Sequence, residues 1–330
     1  MNMRETVTAM DVAKLAGVSQ SSVSRVYFEG ASVSDKTRKR VLEAAAELGY
    51  RPNVYARSLI TNQTKIIGLV MKSVQNPFYA HVLNRFSSIF KQQGYSILFV
   101  STTNDEIQDE DVETLLNYHV AGVIVTDATI SEKVGNEFKK NHIPLVFFNR
   151  KPHTDVFHSV SCNNLEAGRS IAHFLVSSGS TELVLVTGNE DTSTSIERKK
   201  GFCEVLDQQN ITYRTYNSNY TYEGGYDTAI ALLEENQLPS AIFVANDIMA
   251  LGVLDALRKY EIRIPEHTRV VGFDNIGMAS WPAYDLTTWE QPIEEMIEAT
   301  VTYLMEEMTS YTGFVQTIEV DGKLIERKTT

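Results

Sequence analysis

The sequence predicts an α/β protein: a bilobal core of two doubly wound parallel sheets, preceded by an N-terminal three-helix module with helix-turn-helix spacing. Two observations carry this. Short runs rich in Val, Ile and Phe alternate with helical stretches twice, over residues 66–148 and again over 182–274, as buried parallel strands joined by crossover helices do. The N-terminal residues instead hold three short helical patterns, each preceded by a Ser or Thr cap.

At 330 residues the chain exceeds one compact core and suggests two or three domains. Its charge is unevenly spread. The net charge of −12 argues against a nucleic-acid partner, yet residues 1–62 hold nine Lys/Arg against six Asp/Glu, a net of +3, and the remainder nets −15. A basic module on an acidic body fits a DNA-contacting segment. The start MNMRETVTAMDVAK has no apolar signal stretch, and no apolar run reaches membrane-span length, so a cytoplasmic protein without a membrane partner is expected. Cys162 and Cys203 lie outside any CxxC or His-paired spacing; two reduced thiols are expected rather than a zinc or redox site.

In VTAMDVAKLAGVSQSSVSRV, Thr8 caps a first helix and Asp11 answers it three residues on. Val12, Ala13, Leu15 and Ala16 form its apolar face, Gly17 supplies the turn, and Ser19 caps a second helix. Val23 and Val26 then face inward, leaving Gln20, Ser21, Ser24 and Arg25 outward. Gln and Arg are suited to bidentate hydrogen bonds with base edges, serines to phosphates, and a recognition helix reads bases mainly with its N-terminal residues. A third helix, capped by Ser34, buries Val41, Leu42, Ala45 and Leu48. A three-helix packing module without DNA contact is the alternative. The next segment, RPNVYARSLITN, reads as a short helix opened by Pro52 and Asn53, or as a plain linker.

The core strands are IIGLVM, YSILFVS, AGVIVT, PLVFFN, ELVLVTG, SAIFVAN and RVVGFD, with lobe crossings near residues 162, 290 and 320. Such lobes enclose a cleft that closes by hinge motion. There is no GxxxxGK[ST], GxSxG, HExxH or strand-linked GxGxxG, and the seven histidines show no metal spacing. Neither an enzyme nor a cofactor or metal is expected. Polar and aromatic residues gather at the strand ends: Phe78 and Tyr79, Asn149 and Arg150, Asn246 and Asp247, Asp274 and Asn275, with Arg198, Tyr220 and Tyr222. Each alone reads as a loop residue or cap, Asp247 for instance as a helix cap. Together they suit a polyhydroxylated ligand, bonded through carboxylate and amide and covered by aromatic faces.

VTAMDVAKLAGVSQSSVSRV, VSDKTRKRVLEAAAELGYRPN and ARSL, followed in the core by ANDIMALG, VVGFDN, LTTWEQP and ERKTT, closely resemble the lactose-repressor (LacI/GalR) family of transcriptional regulators over essentially the whole chain. The resemblance implies a helix-turn-helix domain at 1–51, a hinge helix and linker at 52–64, and a periplasmic-binding-protein-like effector core at 65–330. Its N-lobe is expected at about 65–161 and 291–320, its C-lobe at about 162–290 and 321–330. The implied DNA contacts are Thr8, Ser19, Gln20, Ser21, Ser24, Arg25, Ser34, Asn53, Arg57 and Leu59, with Leu59 as the minor-groove wedge. The implied ligand residues are Phe78, Tyr79, Asn149, Asn163, Arg198, Tyr220, Asn246, Asp274 and Gln291.

Where many members have Asn-Gly after the recognition helix, this chain has Phe28-Glu29-Gly30, so the phosphate contact of that Asn is not carried over. Where many have Asp, it has Asn149 and Asn163; losing two acids near Arg198 points to an anionic effector, a sugar acid or phosphate. The resemblance further implies a homodimer on a pseudo-palindromic double-stranded DNA operator, and repression of a carbohydrate operon under a sugar or sugar-derived effector. A leucine heptad tail is missing up to Thr330, so tetramers are not expected. A solute receptor without regulatory role is the alternative. Docking of an anionic phosphoprotein is not expected, because IEEMIEATVTYLMEEM is itself acidic.

Overall fold

The computed structural model describes residues 7–27, 31–51, 64–102, 106–152 and 156–330. Its chain divides into two compact units, Met1–Thr64 and Lys65–Thr330.

In the first unit α1 (Ala9–Ala16), α2 (Gln20–Val26) and α3 (Asp35–Leu48) enclose a small core of Val12, Ala13, Ala16, Val23, Val26, Val41, Ala44 and Ala45. Each helix begins on a hydroxyl. Thr8 Oγ1 accepts Asp11 N at 3.4 Å while Asp11 takes Thr8 N at 2.8 Å, Ser19 Oγ accepts Ser22 N at 3.2 Å, and Ser34 Oγ accepts Thr37 N at 3.3 Å. These bonds satisfy amides that no helical carbonyl reaches, at about 1 kcal/mol per cap. Gly17 ends α1 at φ 61° and sends its N–H back to the last turn. That left-handed conformation turns the chain into α2 without a Cβ clash. Arg38 Nη1 donates to Val26 O at 3.0 Å and so fixes the far end of α2.

Two apolar assignments fail here. Leu15 is 47% exposed and Leu42 46% exposed. Each lies about 100° around its helix from the middle of the buried stripe, since α1 buries 12, 13 and 16 and α3 buries 41, 44 and 45. The irregular turn at Phe28, Glu29 and Gly30, and the contacts expected of Asn53, Arg57 and Leu59, lie outside the described residues.

The second unit holds two six-stranded sheets. The first runs through β1 (Ile66–Met71), α4 (Pro77–Gln92), β2 (Ser96–Ser101), α5 (Asp109–Asn117), β3 (Gly122–Val125), α6 (Glu132–Lys140), β4 (Leu145–Phe148) and β5 (His158–Cys162). The second runs through α7 (Asn164–Ser177), β6 (Glu182–Thr187), α8 (Ser193–Gln208), β7 (Thr212–Asn217), α9 (Tyr222–Glu234), β8 (Ala241–Val244), α10 (Asp247–Lys259), β9 (Arg269–Asp274), a 3-10 turn (Gly277–Ser280) and β10 (Thr287–Glu290). The chain returns through α11 (Ile293–Thr309) and β11 (Thr317–Val320) and ends beyond β12 (Lys323–Ile325). The strand orders are β11-β5-β4-β3-β1-β2 and β12-β10-β9-β8-β6-β7; among the described residues only the β10–β12 pair is antiparallel. The lobes are therefore joined three times, after β5, after β10 and between β11 and β12.

The apolar runs are continuous because both sheet faces are covered. In β1, Ile67, Leu69 and Met71 join one core with Phe86, Phe90 and Phe148, whereas Val70 faces another with Val123, Val125 and Phe147. Sequence pattern misplaces the edges. β2, expected to be buried, is an edge strand with Phe99 39% exposed. β7, the corresponding edge strand of the second sheet, reads TYRTYN and carries no apolar run at all. No helix among the described residues is long and apolar enough to cross a membrane.

Gly17→Ala forces a Cβ into the left-handed region, at a cost of about 1–2 kcal/mol. Hydrogen exchange should show weaker amide protection over residues 9–26 with the core unaffected; unaltered protection contradicts this reading of the turn.

Candidate functional site

Two surfaces carry the polar chemistry, one in each unit. In the first unit Gln20, Ser21 and Arg25 are exposed on one side of α2 and Ser24 is half-buried beside them, opposite the buried Val23 and Val26. Ser19 Oγ also pairs with Ser21 Oγ at 2.8 Å. Thr8, Ser19 and Ser34 stand at the N-terminal ends of three helices, where free backbone amides favour an anion.

In the second unit a cavity of about 410 Å³ opens at the C-terminal ends of the strands of both lobes, where open α/β sheets place ligands. From the first lobe come Lys72 after β1, Phe78 and Tyr79 on the first turn of α4, Asp127 after β3, and Asn149 and Arg150 after β4. From the second come Thr194 and Arg198 on α8, Tyr220 after β7, Asn246 after β8, and Asp274 closing β9. Several sit in backbone conformations an L-residue rarely adopts: φ is 68° at Asn149, 60° at Tyr220 and 113° at Asp274. Strain of this kind gathers where side chains must be aimed. Gly188 makes room for the Tyr220 ring, since a Cβ there would lie 2.0 Å from it.

Arg198 is 3% exposed. Its Nε donates to Asn164 Oδ1 at 2.8 Å, its Nη1 to Ala245 O at 2.6 Å, and its plane lies 3.4 Å over the Phe273 ring. Asp274 accepts Gln291 Nε2 at 2.7 Å. Burial pushes its carboxyl up to about 6, against the pull of Arg198 and that hydrogen bond. Asn246 spends Oδ1 capping α10 through Met249 N at 2.9 Å. On the facing wall Tyr79 Oη accepts Asn149 Nδ2 at 3.2 Å, and burial raises its phenol pKa. Asp127 Oδ1 accepts Lys72 N at 2.5 Å, and its carbonyl accepts Arg150 Nη1 at 2.7 Å.

The structure thus brings Phe78, Tyr79, Asn149, Arg198, Tyr220, Asn246 and Asp274 together. Two expected ligand residues lie elsewhere. Asn163 caps α7 through Glu166 N and donates to Asp321 at 2.9 Å; it sits at a lobe crossing outside the cavity, so its lost charge leaves the cavity unchanged. Gln291 lines a neighbouring cavity of about 550 Å³ beyond Asp274 and bears on the first cavity only through that carboxylate. Three strand-end candidates also fall away. Asn275 lies outside the first cavity, donating Nδ2 to Glu290 at 2.7 Å and accepting Arg327 Nη2 at 2.8 Å. Tyr222 donates to Asp255 Oδ2 at 2.8 Å, outside the cavity. Asp247 is fully buried, accepts Ile276 N and Thr288 Oγ1, and is pushed well above the usual carboxylate range by burial.

Sequence reasoning missed Lys72, Asp127 and Thr194. Lys72 and Asp127 follow strand runs as directly as Asn149 does, so the same positional rule finds them. A further missed feature spans the lobes. Lys151, just past β4, pairs through Nζ with Glu197 on α8 and with Glu319 on β11 at 2.8 Å, and its N–H donates to Ser193 Oγ at 2.9 Å. Glu197 immediately precedes Arg198, so this latch ties a cavity helix of the second lobe to the first.

A helix-turn-helix unit together with a two-lobed core holding a polar cleft defines the class: ligand-responsive DNA-binding proteins. Residues 8–53 match the lacI family of bacterial regulatory proteins, and residues 67–280 match the periplasmic binding protein domain. The HTH-type transcriptional repressor PurR of Aliivibrio fischeri is 32% identical over 330 residues, 97% of either chain. The ribose operon repressor of Escherichia coli is 30% identical over 326 residues, 97% of this chain and 98% of that one. The lac repressor dimer bound to operator and the anti-inducer ONPF matches with a TM-score of 0.86 at 26% identity, over 98% of this chain and 99% of that one. The chain belongs to the lacI family and is a DNA-binding transcriptional regulator, not a solute receptor.

Two outcomes follow from the cleft. A carboxyl with a raised folded-state pKa stabilises the fold fully below its ordinary value of 3.8 and loses that contribution as pH rises through about 6. The melting temperature of the wild type should therefore fall relative to Asp274→Asn between about pH 5 and pH 7.5; a pH-independent difference contradicts the assignment. Lys151→Ala removes the latch and should weaken binding of a cleft ligand about fivefold, the equivalent of about 1 kcal/mol, by calorimetry. Unchanged affinity means that the latch does not bear on closure.

Proposed function

We propose that this chain acts in the cytoplasm as a homodimeric repressor of a carbohydrate-utilisation operon, with a hydroxylated small molecule in the cleft setting its operator affinity. The observation that carries this reading is the convergence of Arg198, Asn246 and Asp274 on one cavity walled by Phe78, Tyr79 and Tyr220. A buried guanidinium, an amide and a carboxylate bond hydroxyls from several directions, while aromatic faces cover the apolar side of a ring. The names of the relatives agree with it, one being a ribose operon repressor and another a lac repressor dimer on its operator. Catalysis has no part in this reading.

On DNA, α2 enters the major groove with Gln20, Ser21 and Arg25 toward the bases and Ser24 toward the backbone, while the helix caps Thr8, Ser19 and Ser34 meet phosphates. Asn53, Arg57 and Leu59 complete the contact in the hinge, with Leu59 as the wedge. One unit reads only a few base pairs, so two are needed on a pseudo-palindrome.

An operator selected from random duplexes by the full-length protein tests the reading. Arg25→Ala should weaken its binding by about 1–3 kcal/mol and relax preference at one base position. Equal affinity and equal preference would remove Arg25 from base reading.

A further inference from the structure

The charge inside the cleft is opposite to that of the body around it. Outside residues 1–62 the chain nets −15, yet the cavity is lined by Lys72, Arg150 and Arg198 against Asp127 and Asp274. Neither guanidinium has an ion-pair partner among the described residues. Arg198 is held by an amide oxygen and a backbone carbonyl, and Arg150 Nη1 by the carbonyl of Asp127. Arg150 Nε is buried with no acceptor, and so is the oxygen of its neighbour Asn149, whose amide nitrogen goes to Tyr79. The first-lobe wall therefore carries a cationic fork and a neutral amide, with an unmet donor on Arg150 and an unmet acceptor on Asn149. The one carboxylate on that wall, Asp127, accepts through Oδ1 from Lys72 N and Thr126 Oγ1, and the second wall carries the Asp274 carboxylate.

We propose that the effector is an anionic polyol, a sugar acid or a sugar phosphate, whose oxyanion seats on Arg150 and whose hydroxyls face Asn246 and Asp274. The inference rests on the cleft being the effector site. The guanidinium fork matches the two oxygens of a carboxylate or phosphate. Asp274 repels an oxyanion and accepts from hydroxyls, which fixes the orientation. A ligand hydroxyl next to the oxyanion also meets the vacant oxygen of Asn149. Field lines focused in a low-dielectric cleft favour the anion over its neutral counterpart.

Calorimetry on the full-length protein should use matched trios: ribose, ribonate and ribose 5-phosphate, and glucose, gluconate and glucose 6-phosphate. The expected result is an anion bound at least tenfold tighter than its neutral partner, with Arg150→Gln abolishing the difference and Arg150→Lys keeping part of it. Which anion wins separates carboxylate from phosphate. Asn149→Asp, which sets a carboxylate beside Arg150, should also erase the preference and guards against a folding defect in Arg150→Gln. A neutral sugar bound as tightly as its anions, or an anion preference that survives both variants, overturns the anion site while leaving the cleft as the effector site. No binding by any member, with operator affinity equally unmoved, rejects both.

Discussion

The second lobe is organised around one buried charge. Arg198 has lost nearly all contact with water and is held by groups from three directions: Asn164 on α7, the Ala245 carbonyl after β8, and the face of Phe273 on β9. A buried charge without such partners would carry a penalty of several kcal/mol. With them it becomes a fixed positive point at the strand ends, and much else is set by its place. Gly168 and Gly201 let α7 and α8 approach until a Cβ at Gly168 would meet the Arg198 carbonyl at 2.4 Å. The guanidinium also opposes the burial that would otherwise drive the Asp274 carboxyl still higher.

The cleft was legible in the sequence where strand runs end cleanly. Asn149 follows PLVFF, Asn246 follows AIFVA and Asp274 follows VVGF, and a parallel strand has only one end at which a ligand can sit. The same rule reaches Lys72 and Asp127, which a search for amides, arginines and aromatics passes over. Tertiary placement was not legible. Asn163 and Tyr222 are as polar and as near a strand end as the residues that line the cavity, but the chain crosses between lobes at Asn163, and Tyr222 turns to Asp255. Edge strands fail for a related reason. β7 has one neighbour and one wet side, so TYRTYN needs no apolar run. In the first unit the caps and Gly17 were readable because they are local chemistry. Leu15 and Leu42 were misread because leucine was given more weight than the helical stripe.

The two sites meet different physical demands within one chain. The outward face of α2 is polar and exposed, where phosphates supply much of the affinity and base edges the selectivity. The cleft is enclosed, so each polar group there must find a partner in protein or ligand. Its two walls belong to lobes joined by three strand crossings and by Lys151. A ligand that holds both walls favours one lobe arrangement, and that preference is the only free energy available to act on DNA.

Coupling of this kind is reciprocal. The most direct test is fluorescence anisotropy of the selected operator with and without a saturating cleft ligand, paired with ligand affinity measured with and without the operator. The account predicts that ligand changes operator affinity about 5–150-fold and that operator changes ligand affinity by the same factor. A ligand that fills the cleft while leaving operator affinity unchanged would contradict it.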